Sequence, residues 1–298
     1  MNANARPPGP AAMSILVVLC LIWGFNQVAI KIGNEGISPA WQAALRSAGA
    51  AALVLVWARV RGIPLFARDG TLAAGLAAGA MFAAEFALVY WAVEFTTAAR
   101  AVVLLYTAPF TVAIGAHFFL PGDRLTRPKL LGLGACFAGV ALLFADSLTL
   151  PDKRALIGDA MALLAAIFWG ATTVVIKASA LAHARAEKTT FYQLGVSALV
   201  LPIAAIGLGE RGVFDPTPTV LASLAFQIVV VVFVSYTIWF WLVREYRASS
   251  LAAFSFLTPV FGVAAAYVAL GEPVEANLAG AVVLVGAGIW LVNRPAPT

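Results

Sequence analysis

Charged residues, cysteines and histidines are all scarce in this sequence. Only 11% of its 298 residues are Asp, Glu, Lys or Arg, whereas soluble domains carry about 25% charged residues. This composition excludes an ordinary soluble domain. The two histidines show no metal-binding spacing, and Cys20 and Cys136 both lie in apolar runs, so we expect neither a metal site nor a disulfide. We also find no phosphate-binding loop and no nucleophile–base motif, so the sequence provides no catalytic residue and no cofactor site.

Apolar residues, in contrast, make up 62% of the chain. A helix that crosses a bilayer needs about 20 mostly apolar residues, and such runs follow one another almost end to end. The first run continues past Trp23, which is too long for the core of a signal peptide, so we interpret it as a retained helix. The sequence predicts an all-α integral membrane protein with ten transmembrane helices, at 12–33, 38–59, 71–94, 98–120, 127–146, 155–181, 187–209, 218–243, 249–270 and 275–293.

The distribution of Lys and Arg predicts the orientation. With the N-terminus inside, the cytoplasmic ends collect about 13 basic residues and the other side about 5, as the positive-inside rule requires. Both termini are therefore predicted to be cytoplasmic, in a multi-pass protein of a bacterial inner membrane. The formal net charge of +5 is spread over several short loops, which argues against a nucleic-acid partner.

An internal repeat divides the chain. Trp23-Gly24 is followed by Lys31, and Trp169-Gly170 is followed at the same distance by Lys177. The predicted domains are a first five-helix repeat at 12–146 and a second at 155–293. Because five is odd, the second repeat enters the membrane from the other side, so the two halves should be inverted, as in many transporters.

Two prolines occupy matching places in this repeat. Pro109 falls near the centre of the fourth predicted helix and Pro259 near the centre of the ninth. A proline inside a helix removes a hydrogen-bond donor and clashes with the carbonyl four residues before it, so each should kink its helix. We predict a hinge role for the pair, with simple shaping of the bundle as the alternative.

Two ionisable residues lie deep in predicted helices. Glu85 is the deep acidic residue and Arg46 the deep basic one, at similar depths from the outer end of their helices. A charge inside the membrane is costly and marks a functional candidate. We expect an ion pair between them or a shared polar cavity, with a static structural pair as the alternative.

Aromatic and polar residues near mid-helix are the other candidates for substrate binding. Small-molecule sites combine an apolar body with a few hydrogen-bonding groups, whereas tryptophan and tyrosine at helix ends often form interfacial belts instead. The candidate substrate-binding residues, besides Glu85, are Trp23, Asn26, Tyr90, Tyr106, Trp169, Thr173, Gln227, Ser235, Tyr236, Trp239 and Phe256.

The Trp-Gly and Lys of the first and sixth helices, the two prolines, and the turns Gly122-Asp123 and Gly271-Glu272 together resemble the drug/metabolite transporter superfamily in its EamA type. Within that group the chain is most similar to YddG-type exporters of aromatic and other neutral amino acids. The resemblance implies ten helices, inverted halves and a central cavity. It would place Trp23, Tyr90, Tyr106, Trp169 and Tyr236 near that cavity.

The sequence therefore predicts a secondary exporter of small metabolites, with aromatic or neutral amino acids as substrates and the lipid bilayer as its surroundings. Transport would proceed by alternating access through a cavity at the membrane midplane, without ATP. A multidrug exporter or another metabolite carrier of the same fold is the first alternative. A membrane-embedded enzyme or receptor is the alternative from a different class.

Overall fold

The computed structural model describes residues 6–148, 150–271 and 277–294. These ranges contain ten main helices, and their strand-like pairing is limited to one bridge between Ile37 and Val213. The helices are α1 (Pro10–Gly33), α2 (Pro39–Val60), α3 (Leu72–Ala92), α4 (Ala98–Phe119), α5 (Arg127–Leu143), α6 (Lys153–Ala178), α7 (Ala186–Gly207), α8 (Pro218–Glu245), α9 (Ala248–Leu270) and α10 (Asn277–Asn293).

Eight of these helices are long and apolar enough to cross a membrane. The helix α10 is apolar but has 17 residues, and α5, also of 17 residues, packs along it. The chain is thus an all-α membrane protein whose helices follow the predicted ones to within a few residues. The predicted tenth helix and the turn at Glu272 begin in residues 272–276, which lie outside the described residues.

Helices α4 and α9 are both interrupted just before their prolines. Regular α-helix stops at Leu105 and resumes at Ala108 in α4, and it stops at Phe254 and resumes at Leu257 in α9. The prolines cause these breaks because neither can donate to a carbonyl one turn earlier. The regular α-helix is therefore interrupted at matching positions of the two halves.

Helix α8 is an α-helix at both ends and a π-helix in its middle. Residues Gln227–Ser235 form a π-helix between two α-helical ends. The hydroxyl of Ser235 donates to the carbonyl oxygen of Val231 within this segment. Such wide turns are rare and are often found at functional sites, and this one leads directly to Tyr236.

Ion pairs join the helix ends on both faces of the bundle, and the one on the first face is buried. On one face, Lys129 Nζ lies 2.5 Å from a carboxylate oxygen of Asp123, and Ser249 at the start of α9 binds the same carboxylate. On the other face, Arg100 pairs with Asp159 across α4 and α6. The face with the Lys129–Asp123 pair also carries loops 61–71, 120–126 and 179–185. We call it the basic face because each of these loops contains arginine.

The direction of the helices supports two inverted halves. The N-terminal end of α1 lies on the basic face, where the backbone N–H of Arg247 donates to the carbonyl oxygen of Arg6 over 3.1 Å. The N-terminal end of α6 lies on the opposite face, where Arg154 donates to the carbonyl oxygen of Glu94 over 3.2 Å. Equivalent helices thus run in opposite directions, and which face meets the cytoplasm stays a prediction.

Candidate functional site: a central cavity

A cavity of about 320 Å³ lies between the two halves. Eight helices line it, α1 to α4 from the first half and α6 to α9 from the second. Its volume is at the lower end of the range for small-molecule sites. The lining residues are Trp23, Asn26, Gln27, Ile30, Arg46, Phe82, Glu85, Phe86, Val89, Tyr90, Val102, Leu105, Tyr106, Trp169, Thr172, Thr173, Gln193, Tyr236, Trp239, Phe240 and Thr258.

The cavity is displaced away from the basic face. On the opposite face its lining reaches Ile30 and Tyr90, within a helical turn of the ends of α1 and α3. Toward the basic face it stops at Gln193, Trp239 and Phe240, all of which are buried. A closed layer therefore separates the cavity from the basic face.

Aromatic rings form that closed layer. The ring of Trp23 meets the edge of Trp239 at a centroid distance of 5.3 Å and Tyr236 at 6.2 Å. Its Nε1 donates to the hydroxyl of Ser235 over 2.8 Å. The π-helical segment of α8 thus positions Trp23 through Ser235 and presents Tyr236 beside it.

The tryptophan at the equivalent place in the second half belongs to another aromatic group. Trp169 meets the edge of Tyr106 at 5.8 Å, and Tyr106 lies 6.0 Å from Phe256. Tyr106 and Phe256 stand at the two helix breaks before Pro109 and Pro259. The helix breaks of α4 and α9 therefore lie against each other beside the cavity.

Three predicted binding residues do not line the cavity. Gln227 is fully buried behind it, and its Nε2 donates to Gln42 over 2.7 Å. Phe256 is also fully buried, in the core between α4 and α9, and Ser235 acts on the cavity only through Trp23. The structure places these three residues outside the cavity wall because depth along a helix does not tell which side of the helix a residue occupies.

Nine of the twelve predicted binding residues do line it, and so does Arg46. These are Trp23, Asn26, Arg46, Glu85, Tyr90, Tyr106, Trp169, Thr173, Tyr236 and Trp239. Sequence reasoning missed the phenylalanines Phe82 and Phe86 of α3 and the polar Gln193 of α7. Gln193 carried a usable signal, since an amide in an apolar helix is uncommon. The phenylalanines carried none, because lipid-facing helices are rich in them.

Arg46 and Glu85 share the cavity without touching each other. Within the described residues they form no ion pair at 4.0 Å or less, so a direct ion pair is absent from this conformation. The Arg46 guanidinium carbon instead lies 4.8 Å above the ring centre of Phe86. This contact is a cation–π interaction, and it leaves the guanidinium available to the cavity.

Several buried polar atoms of the cavity wall lack a hydrogen-bond partner. They are Nε of Arg46, Oδ1 of Asn26 and both side-chain polar atoms of Gln193. A buried polar atom without a partner is costly, and such atoms in a native structure require an explanation. All of them belong to residues of one cavity wall.

Side chains that could bind a metal ion are not clustered in the described part of this cavity. Over the ranges that the structure describes, no three His, Cys, Asp or Glu side chains come together in a way that could hold a metal ion. The cavity wall offers aromatic faces, amides, hydroxyls, one guanidinium and one carboxyl group.

Comparisons with known proteins give the family. The model of the EamA-like transporter family matches residues 11–145 and 156–294. A solved crystal structure of a protein superposes with a TM-score of 0.82 at 19% identity, covering 95% of this chain and 96% of the other. At that identity the likeness shows the fold alone.

Three curated relatives are similar over almost their whole length. A "Probable amino-acid metabolite efflux pump" of Salmonella typhimurium is 30% identical over 289 residues, covering 94% of this chain and 93% of the relative. The protein of that name in Escherichia coli is 27% identical over 96% of this chain and 95% of its own. The "Uncharacterized transporter YoaV" of Bacillus subtilis is 24% identical, covering 93% and 94%. All three are named as transporters or pumps rather than enzymes. With the family model matching nearly the entire sequence, the chain belongs to the EamA-like transporter family and is a membrane transporter.

Proposed function

We propose that this transporter exports aromatic and other neutral amino acids across the inner membrane of a bacterial cell, with both termini in the cytoplasm. The observation that carries the proposal is the central cavity, which combines aromatic walls with a few buried polar groups. Aromatic faces suit an apolar side chain, whereas the polar groups suit the backbone end of an amino acid. Two relatives are named as probable amino-acid metabolite efflux pumps, which supports an amino-acid substrate.

Alternating access is the proposed mechanism. The cavity extends toward one face and is closed by Trp23, Tyr236 and Trp239 toward the other. If the predicted repeats are inverted copies, an exchange of their conformations would open the basic face and close the opposite one. The sequence contains no ATP-binding motif, so the driving force would be a gradient or the exchange of substrates.

A multidrug exporter is the competing proposal for the same cavity. An aromatic wall would also accept a lipophilic cation, but such a compound would leave Asn26 and Gln193 without hydrogen-bond partners. These unpartnered atoms favour a substrate that both donates and accepts hydrogen bonds. A membrane-embedded enzyme or receptor has no comparable support.

Counterflow of labelled phenylalanine into liposomes that contain the purified protein tests the proposal. We expect saturable uptake that unlabelled neutral amino acids suppress, while a nucleoside and a lipophilic cation do not. Liposomes without protein give the background. Uptake suppressed by the lipophilic cation alone would replace amino acids by drugs as the substrate class. Absence of phenylalanine counterflow would reject the proposed substrate.

The helix breaks are proposed to act as hinges in this cycle. We expect Pro109→Ala and Pro259→Ala each to slow counterflow by roughly tenfold or more, because a more regular helix resists the bending that opening requires. The concentration of unlabelled phenylalanine that halves uptake should change little. Pro202→Ala is the matched control, since Pro202 lies inside α7 and does not line the cavity. Equal rates for all four proteins would reduce the two prolines to shaping the bundle.

A further inference from the structure

The wall of the cavity carries one basic and one acidic side chain. Among the described residues that line it, Arg46 and Glu85 are the only charged ones. Both are buried, at 3% and 8% exposure. They come from neighbouring parts of the bundle, α2 and α3, and both lie nearer the opposite face than the basic face.

Among the described residues, neither side chain has a direct partner of opposite charge. The Nε of Arg46 has no hydrogen-bond partner, and the guanidinium rests over Phe86. In the part of the chain that the structure describes, Glu85 takes part in no hydrogen bond or ion pair. A buried charge without a partner is strongly unfavourable, and a bound ligand of opposite charge removes that cost. A ligand that carries both signs would give each of the two side chains a partner.

The rest of the cavity limits the shape of that ligand. Phe86, Tyr90 and Tyr236 belong to the same wall as the two charges, and a volume of about 320 Å³ admits only a small molecule. Asn26 and Gln193 add amide groups that can both donate and accept. A compact zwitterion with an apolar side chain meets all of these conditions.

We infer that Arg46 binds the carboxylate and Glu85 the ammonium group of a zwitterionic α-amino acid, while the aromatic wall holds its side chain. This inference rests on the proposed function and assigns its specificity to two residues. A guanidinium presents paired N–H groups that match a carboxylate, and a carboxylate accepts hydrogen bonds from an ammonium group. Within the described residues no direct ion pair joins the two side chains, so each is available to one end of the substrate.

The test compares phenylalanine with two analogues that each lack one charge. Unlabelled phenylalanine, 2-phenylethylamine without the carboxylate, and 3-phenylpropionate without the ammonium group compete against labelled phenylalanine in counterflow. The same three compounds are also tested by ligand-induced thermal stabilisation of the detergent-purified protein, which requires no transport. For the unmodified protein we expect both analogues to bind roughly tenfold or more weakly than phenylalanine, since each lacks one charge-assisted contact.

Each of the variants Arg46→Gln and Glu85→Gln should abolish the discrimination against one of the two analogues. With Arg46→Gln we expect phenylalanine to bind roughly 10- to 100-fold more weakly, and 2-phenylethylamine to bind nearly as well as phenylalanine. With Glu85→Gln, 3-phenylpropionate should reach the level of phenylalanine instead. Arg211→Gln and Glu94→Gln are the matched controls, since both residues are exposed on the opposite face, and they should behave as the unmodified protein does.

Two further variants distinguish the loss of a charged group from a folding defect. Arg46→Lys and Glu85→Asp keep the charges, and each should preserve the order of the three compounds with a smaller loss of affinity than the glutamine variant. If the unmodified protein binds phenylalanine and every variant discriminates as it does, the assignment of the two charges is wrong and the proposed function stands. If the unmodified protein binds none of the three compounds, the proposed function itself fails.

Discussion

Replacing Lys129 by methionine should lower the free energy of unfolding by about 3–5 kcal/mol. The carboxylate of Asp123 is almost fully buried, and it accepts hydrogen bonds from Lys129 Nζ at 2.5 Å and from the backbone N–H of Ser249 at 3.0 Å. Without Lys129 this carboxylate keeps its buried position but loses its positive partner. Unfolding titrations with sodium dodecyl sulfate measure the difference.

An exposed ion pair provides the control. Arg6 and Glu245 lie 3.4 Å apart, and the side chain of Arg6 is 57% exposed. Arg6→Met should therefore cost at most about 1 kcal/mol. The double variant Asp123→Asn with Lys129→Met should recover part of the loss, because it removes the unpaired charge. A Lys129→Met protein as stable as Arg6→Met would show that the buried pair contributes no more than the exposed one.

The same ion pair predicts a pH dependence. Burial by itself raises the pKa of Asp123, but the charge of Lys129 and the hydrogen bonds from Lys129 and Ser249 outweigh burial and hold the pKa below its usual range. A carboxyl group with a lowered pKa in the folded state stabilises the protein above its unfolded pKa, about 3.9 for Asp. That stability is lost as the pH falls through the folded pKa. Without Lys129, burial raises the pKa of Asp123, so Lys129→Met should abolish this acid-induced loss. The difference in stability between the variant and the unmodified protein should therefore shrink as the pH falls in thermal unfolding curves.

Replacing Gly288 by valine should destabilise the protein by about 1–3 kcal/mol or more, because it overpacks the contact between α5 and α10. A Cβ atom at residue 288 would lie 2.5 Å from the sulfur of Cys136 and closer still to the carbonyl oxygen of Gly132. Both obstacles belong to the facing helix, and one of them is backbone that cannot rotate away. Small residues permit this close approach in membrane helices.

Another glycine of the same helix is the matched control. A Cβ atom at Gly286 would meet nothing within 4 Å, so Gly286→Val should leave unfolding nearly unchanged. Both variants replace a helical glycine by the same residue, so the difference between them isolates the steric clash. Equal unfolding curves would mean that α5 and α10 can separate without cost.

The number and placement of the helices could be predicted from sequence because each helix crosses a medium of fixed thickness. Without water in the bilayer, an apolar run must satisfy its own backbone hydrogen bonds, and a helix does so within one segment. The prolines likewise act locally. Pro109 and Pro259 indicated kinks, and the structure has helix breaks just before both.

The cavity was only partly predictable. Trp23 and Trp169 could be found from the repeat, and Arg46 and Glu85 from their charge, because each signal belongs to one segment. Gln227 and Phe256 had equally good signals at the right depth, yet both are turned away from the cavity. Gln227 instead bonds to Gln42 of another helix, a contact that no single segment reveals.

The sequence by itself determined that this is a helical membrane protein, predicted two inverted repeats, and placed two ionisable residues deep in its helices. The apolar runs, the repeated residues and the cost of intramembrane charge fix these properties locally. Only the tertiary structure decided which side of each helix faces the cavity, that the cavity lies away from the basic face, and that Arg46 stacks on Phe86 rather than pairing with Glu85. Rotation of a helix about its own axis depends on all its neighbours at once, and a rotation that moves a residue from cavity to core leaves its sequence pattern unchanged.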